Sequence, residues 1–145
     1  MDAAGAAYPL TVDPLLHVWT IQLRASTSMQ GATFGQSLAI SGDVLVIGAS
    51  GEPSGTDFNV GAAYVFQRDE SAPGAWGEVK ILRASDAQAE DYFGWAVSVS
   101  GDIIVVGANS EDSMAANAGA AYIFQRDQGG TDNWGEVTIL YASDA

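Results

Sequence analysis

Apolar and polar positions follow the same order twice along the chain. Four short apolar-rich segments recur at an offset of 59 residues, which becomes 58 after one residue is lost before Gly119. The segments predict strands at 34–40, 44–49, 62–67 and 76–83, and again at 93–99, 103–108, 120–125 and 134–141. The second segment of each set is almost continuously apolar, which is typical of a strand buried on both faces. A fixed period of this length indicates a repeat architecture.

The first two strands of each repeat are separated by two residues, Gly42-Asp43 in one copy and Gly101-Asp102 in the other. A two-residue loop with glycine first is the sequence of a type II′ hairpin, because glycine adopts positive φ without steric cost. Each repeat is therefore predicted to be an antiparallel sheet that begins with a tight hairpin.

A four-stranded sheet has two faces to bury, and radial packing of such sheets around an axis gives a β-propeller. We predict an all-β chain with two four-stranded blades, at 34–87 and 88–145, that form an incomplete ring. Residues 1–16 are interpreted as an N-terminal arm. Residues 17–33 are interpreted as a spare outer strand, His17–Arg24, with its link, because Leu23 to Ser26 repeats Leu82 to Ser85. Small residues at the strand ends predict close approach between sheets, and the aromatic residues are expected to fill the wider gaps.

The residues of this pattern resemble the FG-GAP repeat, which forms the blades of the integrin α-subunit propeller, and are most similar to its bacterial secreted version. The positions concerned are Phe34, Gly35, Gly48, Ala49, Gly61, Tyr64, Phe66 and Trp76, then Phe93, Gly94, Gly107, Ala108, Gly119, Tyr122, Phe124 and Trp134. The resemblance covers about residues 17–145. It implies a propeller fold and a non-catalytic, extracellular role in adhesion or in binding a protein or glycan.

Several integrin blades hold calcium in an acidic loop between their first two strands. The same position here contains only the two-residue turns, and a calcium ion needs six to eight oxygen ligands. We therefore expect no metal or other cofactor, although calcium binding stays open.

Strand alternation brings the loop between strands two and three to the same end of the sheet as the link between repeats. We predict a candidate binding face there, which by the resemblance is also where integrin propellers meet their ligands. Its residues are Glu52, Asp57, Asp86, Glu90, Asp91, Trp95, Glu111 and Asp112. Solvated loop carboxylates, a weak cation site and a partner-binding rim are all compatible with this pattern. Trp95 is expected either to stack on a sugar or simply to pack.

The chain has 145 residues and a formal net charge of −13, with one lysine. A surface this acidic repels nucleic acid and anionic membranes. There are no cysteines for disulfides or thiolate metal sites. The N-terminus lacks the pattern of an intact secretory signal, and no apolar run is long enough for a membrane span.

Catalytic signatures are not found. The single histidine, His17, aligns with the tryptophan that begins each fourth strand, and no partner motif for a catalytic triad surrounds it. A binding module is the preferred hypothesis, a structural protein that assembles into rings or filaments is the alternative, and a hydrolase is a remote third. Two blades cannot close a propeller. We therefore expect self-association, as a closed ring or an open stack, unless the chain is a piece of a longer propeller.

Overall fold

The computed structural model describes residues 21–27, 29–70 and 72–143. In these ranges the chain forms eight strands and no helix, which confirms the all-β prediction. The strands are β1 (Ser37–Ser41), β2 (Val44–Ala49), β3 (Ala62–Arg68), β4 (Trp76–Leu82), β5 (Phe93–Ser100), β6 (Ile103–Ala108), β7 (Ala120–Gln125) and β8 (Gly135–Tyr141).

The strands form two open antiparallel sheets, ordered β1-β2-β3-β4 and β5-β6-β7-β8. Ser41 pairs with Val44 across the first turn, which leaves two residues in the loop as predicted. Gly42 has φ of 58° and Gly101 has φ of 55°. The following aspartates are not in the positive-φ region, and this combination is what a type II′ turn requires.

The two copies differ where each repeat begins. β5 starts at Phe93 as predicted, whereas β1 starts at Ser37 and leaves Phe34 outside the strand. The cause is the preceding sheet: Phe93 forms a parallel bridge with Gly61 of the first repeat. In the part of the chain that the structure describes, no earlier sheet offers Phe34 the same partner.

The predicted outer strand His17–Arg24 lies only partly within the described residues. Residues 17–20 and the arm at 1–16 lie outside the described residues, and residues 21–25 are not in a strand. A fourth strand pairs with the third strand of its own sheet, and the described residues contain no third strand ahead of this segment. Leu23 and Ala25 nevertheless pack against the first sheet.

The core lies between the sheets. We call the side of the first sheet that faces the second sheet its back face, which contains Val44, Val46, Ala63, Val65 and Leu82. The front face of the second sheet packs on it with Phe93, Ile104, Val106, Tyr122, Phe124 and Trp134. The predicted role of these aromatic residues between sheets is confirmed for the second copy. Phe93 meets Tyr122 edge to face, with 5.2 Å between the ring centroids.

The two sheets approach most closely along a seam of small residues. A side chain at Gly48 would overlap the carbonyl oxygen of Gly94 and the hydroxyl of Ser37, and one at Gly94 would overlap the carbonyl of Ala62. The hydroxyl of Ser37 donates a hydrogen bond to the carbonyl of Gly94 at 2.8 Å. The Phe-Gly pair of one repeat therefore lies directly against the Gly-Ala positions of the preceding one.

The seam predicts different losses of stability for alanine at two equivalent glycines. We expect Gly48→Ala to lower the free energy of unfolding by about 1–3 kcal/mol, because the added methyl group forces the two sheets apart. Gly107→Ala is the matched control, because a methyl group there meets only Ala96, at 3.7 Å. Its effect should stay below about 0.5 kcal/mol. Urea unfolding measures both values, and equal losses would contradict this account of the seam.

Candidate functional site

The loops predicted to share one end of the sheets do meet there. The link between β4 and β5, residues 83–92, runs beside the β2–β3 loop. The amide of Tyr92 donates to the carbonyl of Asn59 at 2.9 Å, and that of Glu90 donates to the carbonyl of Phe58 at 3.0 Å. On its other side, the amide of Ser110 in the β6–β7 loop donates to the carbonyl of Asp91 at 3.4 Å. One continuous surface therefore joins the two repeats.

Burial divides the eight candidate residues. Asp57, Glu90, Trp95 and Asp112 are exposed, and Asp86 is half-buried. Glu52, Asp91 and Glu111 are buried, at 0%, 1% and 0% relative exposure. The expectation that these three lie on a solvated binding face is therefore wrong. The loops fold back over the ends of the strands and enclose these three carboxylates. The three residues therefore belong to the interior of the contact between neighbouring repeats, which we call the junction.

In the first repeat, the buried Glu52 has cationic and hydroxyl partners. The hydroxyl of Thr27 donates to its Oε1 at 3.1 Å, and Arg83 Nη2 lies 3.6 Å from the same atom. Thr27 also shares a hydrogen bond of 2.6 Å with the Tyr64 hydroxyl. Burial raises the pKa of Tyr64, which keeps its phenol neutral. Glu52 Oε2 and Arg83 Nη1 have no hydrogen-bond partner among the described residues. Arg83 and Thr27 therefore offset the burial of Glu52 only in part.

The second repeat has an equivalent buried glutamate, Glu111, for which the described residues supply no cationic partner. Tyr141 occupies the position of Arg83, and Asp86 occupies that of Thr27. The hydroxyls of Tyr122 and Tyr141 donate to the two carboxylate oxygens of Asp86, at 2.8 and 3.0 Å. Glu111 accepts from the amide of Ser113 at 2.8 Å, and its other oxygen has no hydrogen-bond partner among the described residues. The second junction is therefore more acidic than the first.

Asp91 adds a third carboxylate to this junction, at the position of Ala32 in the first copy. Its Oδ2 accepts a hydrogen bond from the amide of Gln88 at 2.7 Å. Burial, with the nearby charge of Glu111 as a further contribution, raises the pKa of Asp91. Within residues 21–27, 29–70 and 72–143, no group of three or more acidic or histidine side chains is placed to hold a metal ion.

A second group of residues on this surface is exposed or half-buried, and we call it the rim: Asp57, Asn59, Glu90, Tyr92 and Trp95. The amide nitrogen of Asn59 donates to Glu90 at 3.0 Å, and the hydroxyl of Tyr92 donates to the same carboxylate at 2.7 Å. These two hydrogen bonds lower the pKa of Glu90, which keeps it charged. Trp95 is 48% exposed and packs edge to face on Tyr92 at 6.3 Å.

Sequence reasoning missed Asn59 and Tyr92 in the rim. Asn59, Glu90 and Tyr92 all have positive φ, at 55°, 69° and 56°. The equivalent positions of the other copy, Gly31, Thr33 and Asn117, also have positive φ, so this backbone shape belongs to the repeat. The sequence contains two signals for it: asparagine tolerates positive φ and recurs as Asn117, and glycine stands at the position of Glu90 in the other copy.

Two four-stranded antiparallel sheets packed face to face along a glycine seam define a pair of β-propeller blades. The family model of the FG-GAP repeat matches residues 20–66 and 76–124, more than half of the chain. The chain therefore belongs to the FG-GAP repeat family, whose repeats are typically non-catalytic and occur in extracellular proteins. No curated protein matches it. The described residues include no helix long and apolar enough to cross a membrane.

Asp91 predicts a specific pH dependence. A carboxyl whose pKa is higher in the folded state binds its proton more tightly there, so stability is lost as pH rises from the unfolded pKa, about 4, through the folded value. We expect Asp91→Asn to remove this loss, so the variant gains stability relative to the natural protein as pH increases. Urea unfolding across this pH range measures the difference, and Asp57→Asn on the exposed loop controls for the chemical change. A difference that shrinks with rising pH would contradict the assignment.

Proposed function

We propose that this chain is a non-catalytic binding module of an extracellular protein and that the rim is its ligand surface. The observation that supports this most directly is the hydrogen-bonded set of Asn59, Glu90 and Tyr92 beside the exposed Trp95. Its side chains are fixed in place before a ligand arrives, which reduces the entropy cost of binding. A rigid sheet pair that presents such loops is the usual arrangement for recognition.

The chemistry of the rim favours a protein partner with a basic surface. Glu90 is held in its charged form, Asp57 lies nearby in the adjoining loop, and the chain as a whole has a net charge of −13. Acidic rims of this kind raise the association rate of cationic partners more than they raise final affinity. Trp95 supports a glycan as the alternative ligand, because an exposed indole offers a flat apolar face to a sugar ring.

A hydrolase is less well supported. The buried carboxylates of the described residues, Glu52, Asp91 and Glu111, are enclosed under loops rather than aligned in an open cleft. We also propose that calcium is not required, because the turns at Gly42 and Gly101 are too short to supply six to eight oxygens.

Binding at the rim can be tested on an array that contains both glycans and extracellular proteins. We expect Trp95→Gln, which introduces the residue found at the equivalent position 36, and Glu90→Gln each to weaken binding about tenfold or more. Glu70→Gln serves as the control, because this exposed carboxylate lies in the β3–β4 hairpin at the opposite end of the sheet. Loss of binding with Glu70→Gln, or unchanged binding with both rim variants, would contradict a ligand site at the rim.

Self-association is the second part of the proposal. Leu38 and Ile40 on the first sheet are 63% exposed, and Leu140 on the second is 52% exposed. Apolar surface at both ends of a two-sheet stack favours contact with further sheets. The same observation supports the alternative function, a structural protein that assembles into rings or filaments.

Sedimentation velocity separates these two functions. A binding module completed by its own copies is expected to give one discrete oligomer whose mass does not grow further with concentration. A structural protein is expected to give a broad distribution that extends to higher mass as concentration rises. A single monomeric species throughout the micromolar range would contradict both forms of self-association.

A further inference from the structure

The outer face of the second sheet is equivalent to the back face of the first sheet, which the second sheet covers. We call this its back face; it contains Ile103 and Leu140, which correspond to Val44 and Leu82 of the first sheet. Val44 and Leu82 are 3% and 1% exposed beneath the second sheet, whereas Ile103 and Leu140 are 39% and 52% exposed. Equivalent residues therefore differ in burial because one back face is covered and the other, among the described residues, is not.

The surface that would fit this back face is also present in the chain. The second sheet uses Val97 and Val99 of β5 to pack against the first. The corresponding residues of β1 are Leu38 and Ile40, which are 63% exposed on the front face of the first sheet. A second copy could therefore place its first sheet on the back face of the second sheet, as the two sheets already pack within one chain.

Residues 21–27 already occupy part of the front face on which the second copy would dock. The amide and hydroxyl of Ser26 donate to the two carboxylate oxygens of Glu78 at 2.8 and 2.5 Å. Ser85 makes the same pair of hydrogen bonds to Glu136, at 3.0 and 2.7 Å. Residues 21–27 thus occupy, on the first sheet, the place that the end of β4 and its link occupy on the second.

The chain contains this Leu-x-Ala-Ser segment three times: Leu23–Ser26, Leu82–Ser85 and Leu140–Ser143. The first two are bound to a following sheet, whereas Leu140, Ala142 and Ser143 are exposed. In a second copy docked with the geometry of the internal junction, Leu140–Ser143 would fall on the position held by Leu23–Ser26. Both segments cannot bind Glu78 at once.

We propose that the back face of the second sheet, with Leu140–Ser143, docks on the front face of the first sheet of a second copy, and that residues 21–27 must leave for this to occur. The N-terminal segment is a competitor that restrains head-to-tail assembly, and the occupant of the back face is another copy of this chain. The inference rests on the self-association proposed above and adds its surface and its restraint.

Serine-to-alanine changes at the three equivalent positions test the competition in the full chain. Ser26→Ala removes a hydrogen bond from the competitor alone, so we expect self-association to tighten about three- to tenfold. Ser143→Ala removes it from the docking segment, so we expect weakening by a similar factor. Ser85→Ala is the matched control: it loosens the internal junction and lowers the melting temperature, and the dissociation constant of the oligomer should not change.

Gly107→Ala tests the docking surface without disturbing the single chain. Its methyl group has room in the uncovered sheet, at 3.7 Å from Ala96. In the docked pair it would meet the carbonyl of the partner copy's first Phe-Gly, as Gly48 meets Gly94. We expect the melting temperature to stay within a few degrees and association to weaken about tenfold or more.

Sedimentation velocity of these full-length variants across the micromolar range gives the dissociation constants. Tightening with Ser26→Ala together with weakening by Ser143→Ala and Gly107→Ala supports the proposal. Weakening with Ser26→Ala would overturn the competition, because the segment would then belong to the interface. Unchanged association in both Ser143→Ala and Gly107→Ala would overturn the docking surface while leaving self-association intact. Monomers in every variant would overturn the second copy as occupant, and rim binding would still be judged by the array.

Discussion

The carbonyl oxygens of Gly94 and Ala62 lie where side chains would otherwise project from Gly48 and Gly94. This backbone-to-backbone approach sets the distance between the two sheets, and every larger contact is adjusted to it. Phe93 enters the core beside the seam and meets Tyr122 and Phe124 edge to face. Close packing of this kind leaves little room for change, because interiors are as dense as organic crystals. The Phe-Gly positions of one repeat and the Gly-Ala positions of the preceding repeat therefore form the two sides of the seam.

Close packing of the two sheets also affects the charged residues near the seam. The packed sheets and links enclose parts of the β2–β3 and β6–β7 loops, and with them Glu52 and Glu111. A buried carboxylate is costly unless it is paired or hydrogen-bonded. In the first repeat, Arg83 and Thr27 offset part of this cost at Glu52, whereas Tyr141 and Asp86 stand at those positions in the second. The two copies share a strand order but have different electrostatic environments. In the second, two tyrosine hydroxyls donate to Asp86, and burial raises the pKa of Asp91.

The sequence predicted where the candidate site lies, but only some of the residues that are exposed there. Antiparallel alternation was enough to bring Asp57, Glu90 and Trp95 to one end of the sheets, and they lie there. The same reasoning placed Glu52, Asp91 and Glu111 on the surface, because acidic residues in glycine-rich loops are usually solvated. It could not foresee that the loops close over the strand ends. Tyr92 was missed because its role depends on Asn59, which is distant in sequence.

The sequence by itself determined the strands, their order and the positions of close approach. These follow from local rules: alternation of apolar residues, glycine at the turns, and repetition with small residues at fixed places. Only the tertiary structure decided which equivalent residues are covered. Leu82 and Leu140 occupy equivalent positions in the two repeats, yet one is buried and the other exposed. The reason is physical: burial is a property of neighbours in space, and a repeat does not specify how many neighbours it has.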